Sequence, residues 1–208
     1  MSNQLKQQPL DSQVVSRNRV TNHGEVYTNP REVNAMLDLV KHESERIDSR
    51  FLEPACGSGN FLIEVLNRKL DSVNRKYSKN KFDLEQYTLL AVSSIYGIDL
   101  LPDNVDQCRK RLLDSIIGLS EEGKKVAAHI LSKNIVCGDA LSLKDIVFTE
   151  WSPVGAGKVK RRDFAFHELV AQASITELPL FSDLGEEVFI PESIKEYPVT
   201  SFLKVCDA

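Results

Sequence analysis

No stretch of the 208-residue chain is apolar for long enough to cross a bilayer, which takes about 20 such residues in a helix. The polar N-terminus, MSNQLKQQPLDSQ, lacks the apolar segment of a secretion signal. A cytoplasmic protein without membrane contact is therefore expected. Cysteines are few. Cys56, Cys108, Cys137 and Cys206 stand far apart, and no pair has the spacing of a zinc site or a redox motif. Reduced thiols and no bound metal are expected. An excess of positive charge is missing too. The net charge is −4, so any nucleic-acid contact must come from a local patch rather than from the chain as a whole. Internal repeats are absent.

What is present is enough for a core: 42% of residues are hydrophobic and 27% charged. Residues 1–22 are rich in Gln, Asn and Ser and read as a polar arm. Residues 23–144 alternate helical patterns with short apolar runs. Helices are expected at NPREVNAMLDLVKHE (29–43), NFLIEVLNRKLDSVNRKY (60–77), FDLEQYTLLAVSSI (82–95), PDNVDQCRKRLLDSI (102–116) and 121–132. Strands are expected at Phe51–Glu53, YGIDL (96–100) and NIVCGDA (134–140). This alternation predicts an α/β fold with a parallel sheet and covering helices. Residues 145–170, DIVFTEWS and KVKRRDFAF around PVGAG, read as a β-hairpin, and 171–208 as an irregular tail.

FLEPACGSGNF, residues 51–61, is a strand, a glycine turn and a helix start. Gly57 and Gly59 permit tight backbone geometry and close ligand approach. A dinucleotide fingerprint needs a third small residue at position 62, where this chain has Leu62. Glu53, at the carboxyl end of the strand, would repel a pyrophosphate. It suits a ligand with an ammonium group and a sulfonium, which points to S-adenosylmethionine. Asp99 ends the next strand, where an acid can accept ribose hydroxyls. Asp139 ends the third, where an acid can accept the adenine amino group, with the backbone at Ala140 or Leu141 beside the ring. All three acids fall at the carboxyl edge of a parallel sheet. The competing reading is a tight connection at the glycines and a helix-capping role for Asp99.

With these residues in place, the chain resembles the adenine-specific (N6) DNA methyltransferases of restriction–modification systems. The likeness is to the catalytic domain of type I modification subunits and fused restriction–modification methylases. EPACGSGNFL is similar to their D/N/E-P-A-C-G-S-G-x-F-L motif, and YGIDLLPDNVDQCRKRL and NIVCGDAL to the two cofactor motifs that follow. GEVYTNPREVNAMLDLV resembles the segment before them. The resemblance covers residues 24–141 and implies a Rossmann-like methyltransferase sheet. It implies that Glu53, Ala55, Gly57, Gly59, Asp99, Asp139 and Ala140 border S-adenosylmethionine. It also gives Tyr27 and Thr28 the role of closing over its methionine end, and DNA the role of substrate.

The likeness ends before the family's transfer motif, an Asn/Asp-Pro-Pro-Tyr/Phe turn. In that turn, acceptors direct the lone pair of the adenine amino group and an aromatic ring stacks on the flipped base. None of the eight prolines is followed by a second. In the expected region Glu150 or Ser152 is a candidate acceptor, Pro153 a turn residue and Trp151 a stacking surface, or else Trp151 packs inside the hairpin. Lys158, Lys160, Arg161 and Arg162 form a basic run that fits either a phosphate contact or a charged strand edge. The sheet is thus expected to be incomplete. Residues 145–166 either fill the place beside the first strand or dock to a partner subunit or a second copy. Three functions follow as expectations. They are a split or partner-dependent DNA methyltransferase, an inactive cofactor-binding module, and a methyltransferase for RNA or protein.

Overall fold

The computed structural model describes residues 28–170 and 192–207. The arm 1–22, Tyr27 and the tail portion 171–191 lie outside the described residues. Within them the protein is mixed α/β, with one parallel sheet and one antiparallel sheet.

The chain enters through α1 (Pro30–Leu39), whose N-cap Asn29 accepts from the Arg31 N–H at 2.9 Å while Pro30 opens the first turn. Val33 and Leu37, one turn apart, are its buried stripe. After the short α2 (Lys41–Glu45) comes β1 (Phe51–Glu53). The glycine turn then leads into α3 (Asn60–Tyr77), which buries Leu62, Val65, Leu66, Lys69 and Val73 at helical spacing. α4 (Lys81–Ser93) starts on Asn80, whose side chain accepts from the Phe82 and Asp83 N–H groups. β2 (Ile95–Asp99), α5 (Pro102–Asp114), α6 (Glu121–Asn134, capped by Ser120) and β3 (Ile135–Cys137) follow. The sheet runs β1-β2-β3, all parallel.

β2 is the centre, and its two faces meet different neighbours. Ile95 joins the main core beneath the helices, and a Cβ on Gly97 would come within 2.9 Å of Leu62. Tyr96 and Ile98 point the other way, to Ile146 and Phe148. A fully buried lysine holds the entry to β1. Lys69 Nζ donates to the carbonyls of Arg46 (3.0 Å), Ile47 (3.3 Å) and Ser49 and to Ser94 Oγ (2.9 Å). One ammonium thereby ties the loop before β1 to the end of α4.

The hairpin forms as the sequence predicts, from β4 (Val147–Gly155) and β5 (Lys158–Ala165). Its turn uses Gly155, Ala156 and Gly157, all at positive φ. It does not extend the parallel sheet. It builds a second, antiparallel sheet with β6 (Lys195–Glu196) and β7 (Thr200–Ser201), both paired to β5. β1 therefore has a hydrogen-bonded neighbour on one side only among the described residues.

The expectation of an irregular tail is corrected for residues 192–207. They add β6, β7 and a 3₁₀ helix, Phe202–Asp207, whose Phe202 and Val205 enter the same core as Trp151, Val159 and the helices. A buried apolar pair in the last turn anchors what the weak pattern of prolines left unassigned. Among the described residues no helix is long and apolar enough to cross a membrane.

Candidate functional site

The strand order puts the ends of β1, β2 and β3 side by side, so Glu53, Asp99 and Asp139 share one edge of the sheet. Their surroundings differ. Glu53 is half-buried, and its side chain makes no hydrogen bond or ion pair among the described residues. Burial pushes its carboxyl pKa up.

Asp99 is already engaged. Oδ2 accepts from the Gly57 N–H (2.9 Å), and Oδ1 accepts from the Leu101 N–H (2.9 Å) and Asn104 Nδ2 (3.1 Å). A carboxylate offers about four acceptor sites, so one remains, on Oδ2. The residue thus caps α5, braces the glycine turn and still has room for one hydroxyl. Asp139 Oδ1 accepts from the Leu141 N–H at 2.9 Å, in an Asx turn. That bond, with help from Ser142, holds its pKa below the usual aspartate range. The Leu141 N–H is consumed there, and Ala140 stands half-buried beside it.

The two glycines of the turn play separate parts. Gly57 has φ +51°, and a Cβ there would meet nothing within 4 Å, so open space lies above it. Gly59 has φ +88°, and its Cβ would sit 2.6 Å from Cys108 Sγ, so this glycine serves helix packing rather than ligand approach. The thiol of Cys56 is raised by its contact with the Cys108 thiol and by burial, and so stays protonated. Arg111 also serves the turn, although no motif marks it. From α5 its Nη1 donates to Ser58 O (2.8 Å), Ser58 Oγ (2.9 Å) and Asn60 Oδ1 (2.7 Å), clamping the turn from behind. Its position on the face of α5 that turns toward α3 was the available signal. Thr28 and Ala55 are exposed at the surface.

No family model matches the chain, and neither does any curated protein or solved structure. The geometry must stand by itself.

The candidates for a transfer site are not brought to this edge as free groups. Trp151 is buried, with Nε1 donating to Asn134 Oδ1 at 3.0 Å, so its ring is a core element and offers no face to a base. Glu150 is bound by Arg50 (2.6 Å) and Arg162 (2.9 Å). Burial would raise its pKa, but the hydrogen bonds and charges of the two guanidiniums outweigh that and hold it low. Ser152 is half-buried within β4, and Pro153 is exposed next to the irregularity between Pro153 and Gly155.

The basic run is divided by strand parity. Lys158 is exposed, Lys160 pairs with Glu196 at 3.1 Å and Arg162 pairs with Glu150. Arg161 points inward. It is buried, donates to Val205 O at 3.1 Å, stands 3.3 Å from His129 Nε2 and lies 3.5 Å over the Tyr197 ring. Burial first, then Arg161, holds the His129 pKa down. The expected four-residue patch is thus corrected: Arg161 locks the C-terminal segment in place, out of reach of a phosphate. Among the described residues no group of three His, Cys, Asp or Glu is arranged to hold a metal.

Proposed function

We propose that this chain binds S-adenosylmethionine and is the cofactor-holding part of a Rossmann-like, adenine-N6 DNA methyltransferase that depends on a partner for transfer. The observation that carries the reading is Glu53: half-buried, its side chain without a partner among the described residues, at the end of β1 next to the turn where open space lies over Gly57. An ammonium group there gains a charge-assisted hydrogen bond and relieves a desolvated acid. Asp99 would offer its remaining acceptor site to a ribose hydroxyl, and the second oxygen of Asp139 would accept from the adenine amino group. Asp99 and Arg111 hold the glycine turn in place beside Glu53. When bound, the cofactor supplies an electrophilic methyl group on a sulfonium.

Among the described residues, the groups expected to act on an adenine amino group are already engaged: Glu150 is held by two arginines and Trp151 is buried. Transfer is therefore assigned to groups from another chain. The same observation favours a second reading, a cofactor-binding module without transfer activity. Purified chain incubated with radiolabelled cofactor and genomic DNA is expected to incorporate nothing. Addition of a partner chain that carries the transfer turn then restores incorporation under the first reading and leaves it at zero under the second. Incorporation by the chain alone would overturn both, and its persistence in Glu53→Gln would overturn the cofactor site as well.

A further inference from the structure

On the sheet face away from the helices, a cavity of about 330 Å³ lies between β1–β2 and the hairpin. Its walls are mostly apolar: Leu52 and Tyr96 from the parallel sheet, and Phe148, Phe164 and Phe166 from the hairpin side. Leu52 is 40% exposed, an unusual state for the middle residue of a sheet strand. At the mouth stand Arg50, Glu150 and Arg162. Two guanidiniums share one carboxylate, which leaves a net positive charge.

The edge of β1 adjoins this cavity. Phe51 N–H donates to Ser94 O at 3.0 Å, and Phe51 pairs with Ile95 and Leu52 with Tyr96. Phe51 and Glu53 thus direct their backbone groups at β2, and by alternation the N–H and C=O of Leu52 face outward. Neither has a backbone partner among the described residues. Pro54 has no N–H to offer, so the open edge is short and centred on Leu52.

From these features we infer that a partner polypeptide adds a strand along β1, places an apolar side chain against Leu52 in the cavity, and brings a carboxylate to the exposed side of Arg50, where Glu150 leaves positive charge in excess. The charge at the mouth selects the occupant. A second copy related by a two-fold axis would bring two such positive mouths together, which Coulomb repulsion opposes. Nucleic acid would satisfy the arginines and leave the apolar cavity empty. An extended segment with an apolar residue and an acid two positions away satisfies the edge, the cavity and the charge at once. The inference is independent of the cofactor reading, because none of its residues belongs to the cradle.

The test is a photoreactive phenylalanine analogue at Leu52 of the full chain, expressed in its native host, with the crosslinked peptides sequenced. The expected result is an adduct to a different polypeptide, within a segment that carries apolar residues and at least one carboxylate. The adduct should fall at least tenfold in Arg50→Gln, which removes the charge while keeping a donor for Glu150, with the melting temperature of the variant measured beside it. In the purified wild-type complex, hydrogen exchange at the Leu52 amide should slow at least tenfold, while the Ile98 amide is unchanged. Adducts within this chain, to a second copy or to nucleic acid, or no adduct, would overturn the inference. So would an adduct that leaves the Leu52 amide unprotected.

Discussion

The backbone N–H of Gly57 donates to Oδ2 of Asp99 at 2.9 Å, so the turn after β1 is held by the residue that ends β2. The turn is therefore shaped by the protein itself. Under the proposed function, the acid that braces it also offers its one remaining acceptor site to the cofactor.

Asp99→Ala should accordingly act on both. Losing the bonds to Gly57, Leu101 and Asn104 should cost about 1–3 kcal/mol of stability. S-adenosylmethionine affinity should fall by about tenfold or more. Asp99→Asn keeps one acceptor oxygen and should fall between the two. Chemical denaturation and calorimetry, run on the same samples, separate the effects. Full binding by Asp99→Ala would leave this residue only its capping role.

The turn glycines should part company under substitution. Gly57→Ala strains a left-handed residue by about 1–2 kcal/mol but meets no neighbour, so the protein should fold and bind cofactor less well. Gly59→Ala adds a collision with Cys108 Sγ and should lower the melting temperature much further. Combining it with Cys108→Ala should recover part of that loss, because the double variant frees the space. Equal melting temperatures for the two single variants would contradict this division of roles.

Lys69 gives a pH signature. Burial, opposed by Asp48 and Glu43 and aided by Arg46, lowers its pKa to about 7, against about 10.4 in an unfolded chain. Between those values the unfolded chain binds the extra proton, so stability from this group rises with pH. It is fully present above the unfolded value and lost as pH falls through the folded one. Lys69→Met should remove that rise between pH 7 and 10. It should also destabilise the protein by about 2–4 kcal/mol, by stranding the carbonyls of Arg46, Ile47 and Ser49. Urea midpoints of both proteins across that range provide the check; parallel curves would contradict the assignment.

Trp151 is predicted to matter for stability alone. Trp151→Phe loses the bond to Asn134 Oδ1 and should cost about 1–3 kcal/mol, with cofactor affinity unchanged. Denaturation and ligand titration of the variant test this together. A variant of normal stability with altered binding would return Trp151 to the ligand site.

Much of the first sheet was legible because local signals agree there. An apolar run, a glycine turn and a periodic helix place Phe51–Glu53 and Asn60–Tyr77 at the observed bounds. The edge carrying Glu53, Asp99 and Asp139 follows from strand order. What was not legible depends on contacts far apart in sequence. β6 and β7 are two residues each, too short for a period, and exist because β5 offers them an edge. Arg161 looked like one of a basic run, yet alternation along β5 turns it inward beneath Tyr197. The split between Gly57 and Gly59 depends on a thiol from α5, and Arg111 contacts the turn 53 residues away in sequence.

The central claim is that Glu53 receives the ammonium of S-adenosylmethionine. Calorimetric titration of the purified chain with that cofactor, beside Glu53→Gln, tests it most directly. Micromolar binding by the wild type is predicted, about −8 kcal/mol. At least tenfold weaker binding is predicted for Glu53→Gln, at an unchanged melting temperature. No heat and no thermal shift for the wild type, or equal affinity for the two proteins, would contradict the account.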